Sequence, residues 1–297
     1  MAPESSSRSG PSGEPIPEGK ADEPRVPLRL SVTRGKLGLE LYEPTNLGPI
    51  SAESLSLSFI GLKFPLDLSG GVPAFRHRRG SLERVVLRSD LERLRKWCEP
   101  RLRSAGEPLV RPIDLWWFDG GLGVGIARET SALCWELHWA PLLGQARWVV
   151  ANARGWGLPA PALAEALRAT DTMLGKLFER RGRVLCLDDA GARLGRLLLP
   201  LVGARAPTAK GVVFGALQIN ERSASVALDA TLGPAALGVD TTRWLQLAEL
   251  ARHGDDSLAR GELDEARHAY LTALESAPRQ RDLVRDFGRA RSLGWAH

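Results

Sequence analysis

From Val26 onward the chain alternates apolar and polar residues in short runs. Leu28, Leu30 and Val32 are separated by Arg29 and Ser31, Leu37, Leu39 and Leu41 by Gly38 and Glu40, and Leu55, Leu57 and Phe59 by Ser56 and Ser58. A period of two puts one set of side chains on one face of a strand, so these runs predict half-buried strands. Leu62, Phe64, Leu66 and Leu68 extend the series to Ser69-Gly70-Gly71. Residues 81–87 fit a strand or a helix. Ser89-Asp90-Leu91-Glu92 has capping-box spacing, and it precedes a helix with Leu91, Leu94 and Cys98 on one face that Pro100 is expected to end.

A second strand group follows. Residues 113–118 and 122–127 flank the turn signal Asp119-Gly120-Gly121, and 132–139 and 146–151 continue the meander. An amphipathic helix is predicted next, with Pro161 in its first turn, Leu163, Leu167, Leu174, Leu177 and Phe178 on its apolar face, and Gly182 beyond its end. A strand at 184–187 leads to Asp188-Asp189, placed to cap a short helix with Leu194, Leu197 and Leu198 that Pro200 stops. Two last strands, 211–219 and 223–228, turn at Asn220-Glu221-Arg222. Four strands then a helix, repeated with additions and followed only by helices, is an α+β pattern: a strand-rich meander domain with interspersed amphipathic helices, then a short all-helical module.

In that last module Leu250, Gly254, Ser257, Gly261, Ala266, Tyr270, Ala273 and Pro278 recur at positions that fit two antiparallel helices. Asp264-Glu265 puts negative charge where the second helix exposes its first N–H groups, and Pro278 ends that helix. The order resembles a tetratricopeptide repeat. The resemblance implies that a small residue on the first helix, Gly254, an early alanine on the second, Ala266, and an aromatic four residues later, Tyr270, let the helices cross closely. Three positions depart from the family pattern: Leu250 stands where an aromatic is common, His253 where leucine is, and Ser257 where tyrosine is. Leu283, Val284, Phe287 and Gly288 read as the first helix of a following unit. One and a half repeats are fewer than a free-standing solenoid needs, so the module is expected to lean on the rest of the chain or on another subunit.

Composition sharpens this division. Residues 1–25 are Ser, Pro, Gly and Glu with almost no apolar residues, too few to bury surface and order the segment, and are read as a disordered tail. Residues 26–240 form the α+β domain and 241–297 the helical module. At 297 residues and 43% hydrophobic content the chain can build proper cores. It has no apolar run of about 18 residues and no secretory leader, so a transmembrane segment and secretion are not expected. Cys98, Cys134 and Cys186 are widely separated, which argues for reduced thiols in a cytoplasmic protein. Arginine (34) far exceeds lysine (6), and the skew points to a bacterial source.

The net charge of +5 is local: residues 76–103 hold ten bases and four acids. Arg76, Arg78, Arg79, Arg84 and Arg88 could bind an anion, but acids are threaded through the zone and no nucleic-acid motif accompanies it, so nucleic acid is not the expected partner. Six of nine tryptophans fall within 116–156. Trp135 and Trp139 share a strand face with Leu133 and Leu137; with Trp148 they line either a core or a pocket for a lipid-like ligand. Cys134, Glu136 and His138 share the opposite face. The outer two lie some 13 Å apart at about 3.3 Å per residue, too far for one ion, so no metal is expected. Gly121, Gly123 and Gly125 follow a turn within a strand, the wrong context for a dinucleotide loop. No nucleophile stands beside a histidine, so no cofactor and no catalytic residue is assigned. The expectation is a non-catalytic adaptor that binds a protein partner or peptide through the helical module. A carrier of a lipid-like apolar ligand is the alternative, and an enzyme without a recognisable motif a further one.

Overall fold

The computed structural model describes residues 28–33, 36–41, 43–60, 79–142, 144–190, 193, 205–208 and 212–276. The predicted tail at 1–25, the apolar run at 62–68, the short helix at 194–198 and Pro278 with all that follows it lie outside them. The fold is α+β, with two antiparallel sheets.

The first sheet is a meander of β1 (Leu28–Thr33), β2 (Lys36–Leu41), β4 (Ile50–Ile60) and β5 (Arg79–Asp90), with β3 (Thr45–Leu47) paired to β4. Residues 81–87 are therefore strand. The alternation of Leu55, Leu57 and Phe59 is buried as its period requires, whereas Val32, on edge strand β1, is 59% exposed. The late strands return to this sheet: β15 (Ser223–Asp229) pairs antiparallel along β5, β12 (Arg205–Thr208) pairs parallel with β5, and β13 (Val213–Phe214) and β14 (Gln218–Ile219) pair with β15. The predicted strand at 211–219 is thus two short pieces, interrupted at Gly215–Leu217.

The second sheet runs β10 (Glu179–Arg181), β11 (Val184–Leu187), β9 (Ala146–Trp156), β8 (Ala132–Trp139), β7 (Gly121–Ala127), β6 (Asp114–Phe118). Its front face carries Leu122, Val124, Leu133, Trp135, Leu137 and Val150 against α1 (Leu91–Ser104) and α2 (Ala162–Leu174), which supply Cys98, Leu102, Leu163, Ala166 and Met173. Trp139, at the end of the same row, belongs to the first sheet's core with Phe214, and Trp148 packs against both cores.

Three helix ends differ from the sequence pattern. The N-cap of α1 is Asp90, whose carboxylate accepts from Arg93 N at 2.7 Å; Ser89 is held in β5 and donates to Pro49 O at 2.8 Å. Pro100 does not stop α1, which continues to Ser104. A proline removes one N–H and crowds the carbonyl four residues back; here that residue is Lys96, on the solvent side, where water can serve its oxygen. The second helix ends at Leu174 rather than running to Phe178, because Gly175 takes φ +60° and Phe178 turns extended into β10.

Under the helices Arg128 bonds both Glu107 (2.9 Å) and Glu165 (3.2 Å), all three with side chains under 9% exposed, and Arg168 pairs with the same two carboxylates. Burial works to raise the Glu165 carboxyl, and the two guanidiniums outweigh it, holding the group below the usual carboxylate range. Among the described residues no helix is long and apolar enough to cross a membrane.

Candidate functional site: the C-terminal hairpin and the cleft beneath it

The chain ends, within the described residues, in α3 (Val239–Ala259) and α4 (Leu263–Ser276). Their turn satisfies the last carbonyls of α3 in the pattern of a Schellman cap: Glu262 N donates to Ser257 O and Gly261 N to Leu258 O, with Gly261 at φ +79°. Gly254 faces the Tyr270 ring so closely that a Cβ there would fall against ring carbon Cε1 and lie 2.7 Å from Cδ1. Tyr270 Oη in turn donates to Asp255 at 2.6 Å, while Ala266 and Ala273 are fully buried between the helices and Leu250 is half-buried beside them. Of the predicted packing set, Leu250, Gly254, Ala266, Tyr270 and Ala273 meet in the hairpin, Gly261 is exposed in its turn, and Pro278 lies outside the described residues.

The hairpin leans on the back face of the second sheet. Trp244, Leu247 and Ala248 of α3 share a core with Val149 and Ala151 of β9 and Val184 and Cys186 of β11. Spacing of three and four residues gives α3 one stripe for the sheet, and positions outside that stripe stay open. A groove of about 610 Å³ runs along α3, lined by Leu245, Leu247 and Leu250 with Arg147, Arg243, Glu249 and Ser276 at its edges. On α4, Leu263 and Leu271 are 50% and 46% exposed, eight residues apart and so on one side of the helix.

Beyond the hairpin's edge the back face is organised in cross-strand rows. One row is Trp116, Gly123, Glu136, Ala151; the next is Phe118, Gly121, His138, Val149. A Cβ on Gly123 would fall inside the Trp116 ring, and one on Gly121 against Phe118 and the Leu137 carbonyl. The glycine stripe is therefore a bed on which two aromatic rings lie across β7. The turn Asp119-Gly120, the loop 235–238, and Asp240, Thr241 and Trp244 of α3 then wall a cleft of about 560 Å³ with Glu136, His138 and Asn152 in its lining.

These three side chains form one network. His138 Nε2 is 2.9 Å from Glu136 Oε2, and Asn152 Nδ2 donates to the same oxygen at 2.6 Å. Asn152 reaches it because β9 bulges there: register slips between Cys134 and Glu136, and Asn152 sits at φ +50°. Burial works to raise the Glu136 carboxyl, but the hydrogen bonds from His138 and Asn152, with the charge of Arg154, keep it below the ordinary range. The carboxylate fixes the ring of His138 and directs Nε2–H, the role a carboxylate plays beside a histidine that must present its other nitrogen. Phe118 meets the imidazole edge to face at 5.0 Å and Trp244 at 6.2 Å.

Other predicted sites lie elsewhere. Trp135, 1% exposed, is filled front-face core; Trp139 packs on Trp148 at 4.9 Å and on Phe214 at 5.3 Å, and gives Nε1–H to Gly215 O. Trp139 also borders the cleft. Of the arginine zone, Arg76 and Arg78 lie outside the described residues and only the backbone of Arg79 is described. Arg84 pairs with Asp229 at 3.7 Å and Arg88 with Glu53 at 3.1 Å, on the exposed side of β5. Cys134 is exposed on the back face, a row away from Glu136, and Cys98 and Cys186 are buried. No three His, Cys, Asp or Glu side chains among the described residues gather as a metal site.

Asn152, Asp240 and Thr241 were not legible as site residues, being far from His138 in sequence. The available signal was Glu136 and His138 themselves, polar residues alternating on a strand whose other face is wholly apolar. No protein-family model matches this chain, and neither does any curated protein or solved structure.

Proposed function

We infer that this protein is an interaction protein whose α+β body holds a tetratricopeptide-like hairpin in place so that the groove along α3 receives an amphipathic helical segment of a protein partner. The observation that carries this is the division of α3: Trp244, Leu247 and Ala248 anchor it on the sheet, and half-buried Leu245 and Leu250 are left along an open groove edged by Arg147, Arg243 and Glu249. A helix laying apolar residues between Leu245 and Leu250, with its charged flanks against those edges, matches helix-in-groove recognition.

The test is a photo-reactive side chain in place of exposed Gln246, which lines the groove, carried by the full chain in its source cells. Irradiation is expected to join a second polypeptide to this chain, and Leu245→Glu with Leu250→Glu is expected to abolish the adduct. Crosslinks confined to the chain itself would refute the reading.

A further inference from the structure

The cleft beneath the hairpin carries chemistry that the outer groove does not use. Two of its lining side chains are each 5% exposed and keep a polar atom open: His138, whose Nδ1 makes no hydrogen bond among the described residues, and Thr241, whose hydroxyl makes none there either. Both residues line the cleft from opposite walls with the rest of the side chain packed away, so whatever enters between the walls meets a free acceptor on each side. Charge narrows what that is. Asp119 on the sheet wall and Asp240 on the helix wall make no ion pair among the described residues, and Glu136 adds a third carboxylate. Arg243, the basic residue of the lining, donates Nη2 to Ser276 O at 3.0 Å, toward the outer groove. Phe118 and Trp244, both in the lining, pack near His138 at 5.0 and 6.2 Å between ring centroids and give the cleft aromatic surface suited to a cation's non-donor side.

We propose that the cleft between the second sheet and α3 binds a small organic cation, a primary ammonium compound, with Asp119 and Asp240 taking its charged N–H donors and His138 Nδ1 and the Thr241 hydroxyl taking donors deeper in. The site uses residues from both walls, so its occupant ties α3 to the sheet. It stands independently of the partner reading, since none of these groups except Arg243 lines the outer groove.

The probe is putrescine, titrated calorimetrically into the full chain beside butane-1,4-diol, which has the same length and no charge. Putrescine is expected to bind, and the diol to bind at least about tenfold more weakly. Asp240→Asn, at an exposed position, is expected to weaken putrescine by about tenfold; Thr241→Val is expected to weaken it too. Glu129→Gln, at an exposed position outside both the cleft and the groove, leaves it unchanged. Equal binding of diol and diamine, indifference to Asp240→Asn, or no heat with putrescine at millimolar concentration would each overturn the proposal. Thermal unfolding of each variant without ligand separates a lost contact from a lost fold.

Discussion

Gly254→Ala tests the close crossing of α3 and α4 directly, because two opposing effects of known size meet at one atom. Alanine in a helix interior is favoured over glycine by about 1 kcal/mol, so an open site would gain stability. At Gly254 the new Cβ would stand 2.7 and 2.8 Å from Tyr270 Cδ1 and Cζ, and ordinary contact begins near 3.4 Å. Cε1 lies closer still, so the ring would have to retreat by about 1 Å, a displacement that a packed core resists at about 1–3 kcal/mol. Tyr270 is 6% exposed and tethered to Asp255 at 2.6 Å, which places the cost toward the upper end. The net expectation is a loss of about 1–2 kcal/mol, a factor of 5–30 in the opening equilibrium. Hydrogen exchange of the α4 amides reads it locally, and urea unfolding followed by tryptophan fluorescence reads it globally. In a Tyr270→Ala background the same substitution meets no ring, so its sign reverses and it stabilises by about 1 kcal/mol. A Gly254→Ala protein as stable as its parent with Tyr270 present would refute the close crossing.

Three further outcomes follow from the packing. Arg128→Met leaves Glu107 and Glu165 with Arg168 alone and should cost about 3 kcal/mol at neutral pH. The folded-state pKa of Glu165 is depressed, so the stability it supplies is present above the ordinary carboxylate pKa and is lost as pH falls through the folded value; the gap between variant and parent in urea midpoints should narrow on acidification. Burial, against the field of Arg101, pushes the Cys98 thiol up to about 11, and burial also raises Cys186, so a thiol reagent near pH 8 should label exposed Cys134 rapidly and the other two only after denaturation. Pro100→Ala, on the exposed side of α1, restores the bond to the Lys96 carbonyl and should raise stability by about 1 kcal/mol or more in thermal unfolding, since an interior proline costs about 3 kcal/mol in a helix.

The elements most legible in the sequence were those where one face is buried and the period shows it. Leu55, Leu57 and Phe59 on β4, or Leu133, Trp135 and Leu137 on β8, are read correctly because a two-residue repeat has one structural meaning. The Gly254, Ala266, Tyr270 spacing is equally local, and it located the hairpin. What local pattern cannot carry is pairing at long range. Nothing in Ser223–Asp229 announces that it inserts beside β5, more than a hundred residues earlier, and the same holds for the cleft, where a bulge on β9 and the first turn of α3 complete a wall begun on β8. The errors at helix ends have a common cause: Pro100 and Phe178 were read by residue type, whereas solvent access at Lys96 and the positive φ of Gly175 decided where the helices stop.

The composition break near residue 240 is a boundary of sequence and not of packing. A hairpin of two helices buries too little to stand alone, and here β9 and β11 pack against it through Trp244, Leu247 and Ala248. Cutting the chain at 240 would bare Val149, Ala151 and Val184 on the sheet as well as freeing the helices, so loss of binding in such a truncation would say nothing about the groove. Trp244 carries the consequence further, since it anchors α3 and also walls the cleft. A cation bridging Asp119 and Asp240 must therefore hold α3 against the sheet and slow exchange at its first turns by the linkage between binding and folding, while a helix seated between Leu245 and Leu250 acts on the opposite flank. Protection that appears in the first turns of α3 with the amine, and along Leu245–Leu250 with the protein partner, distinguishes the two occupants on a single helix.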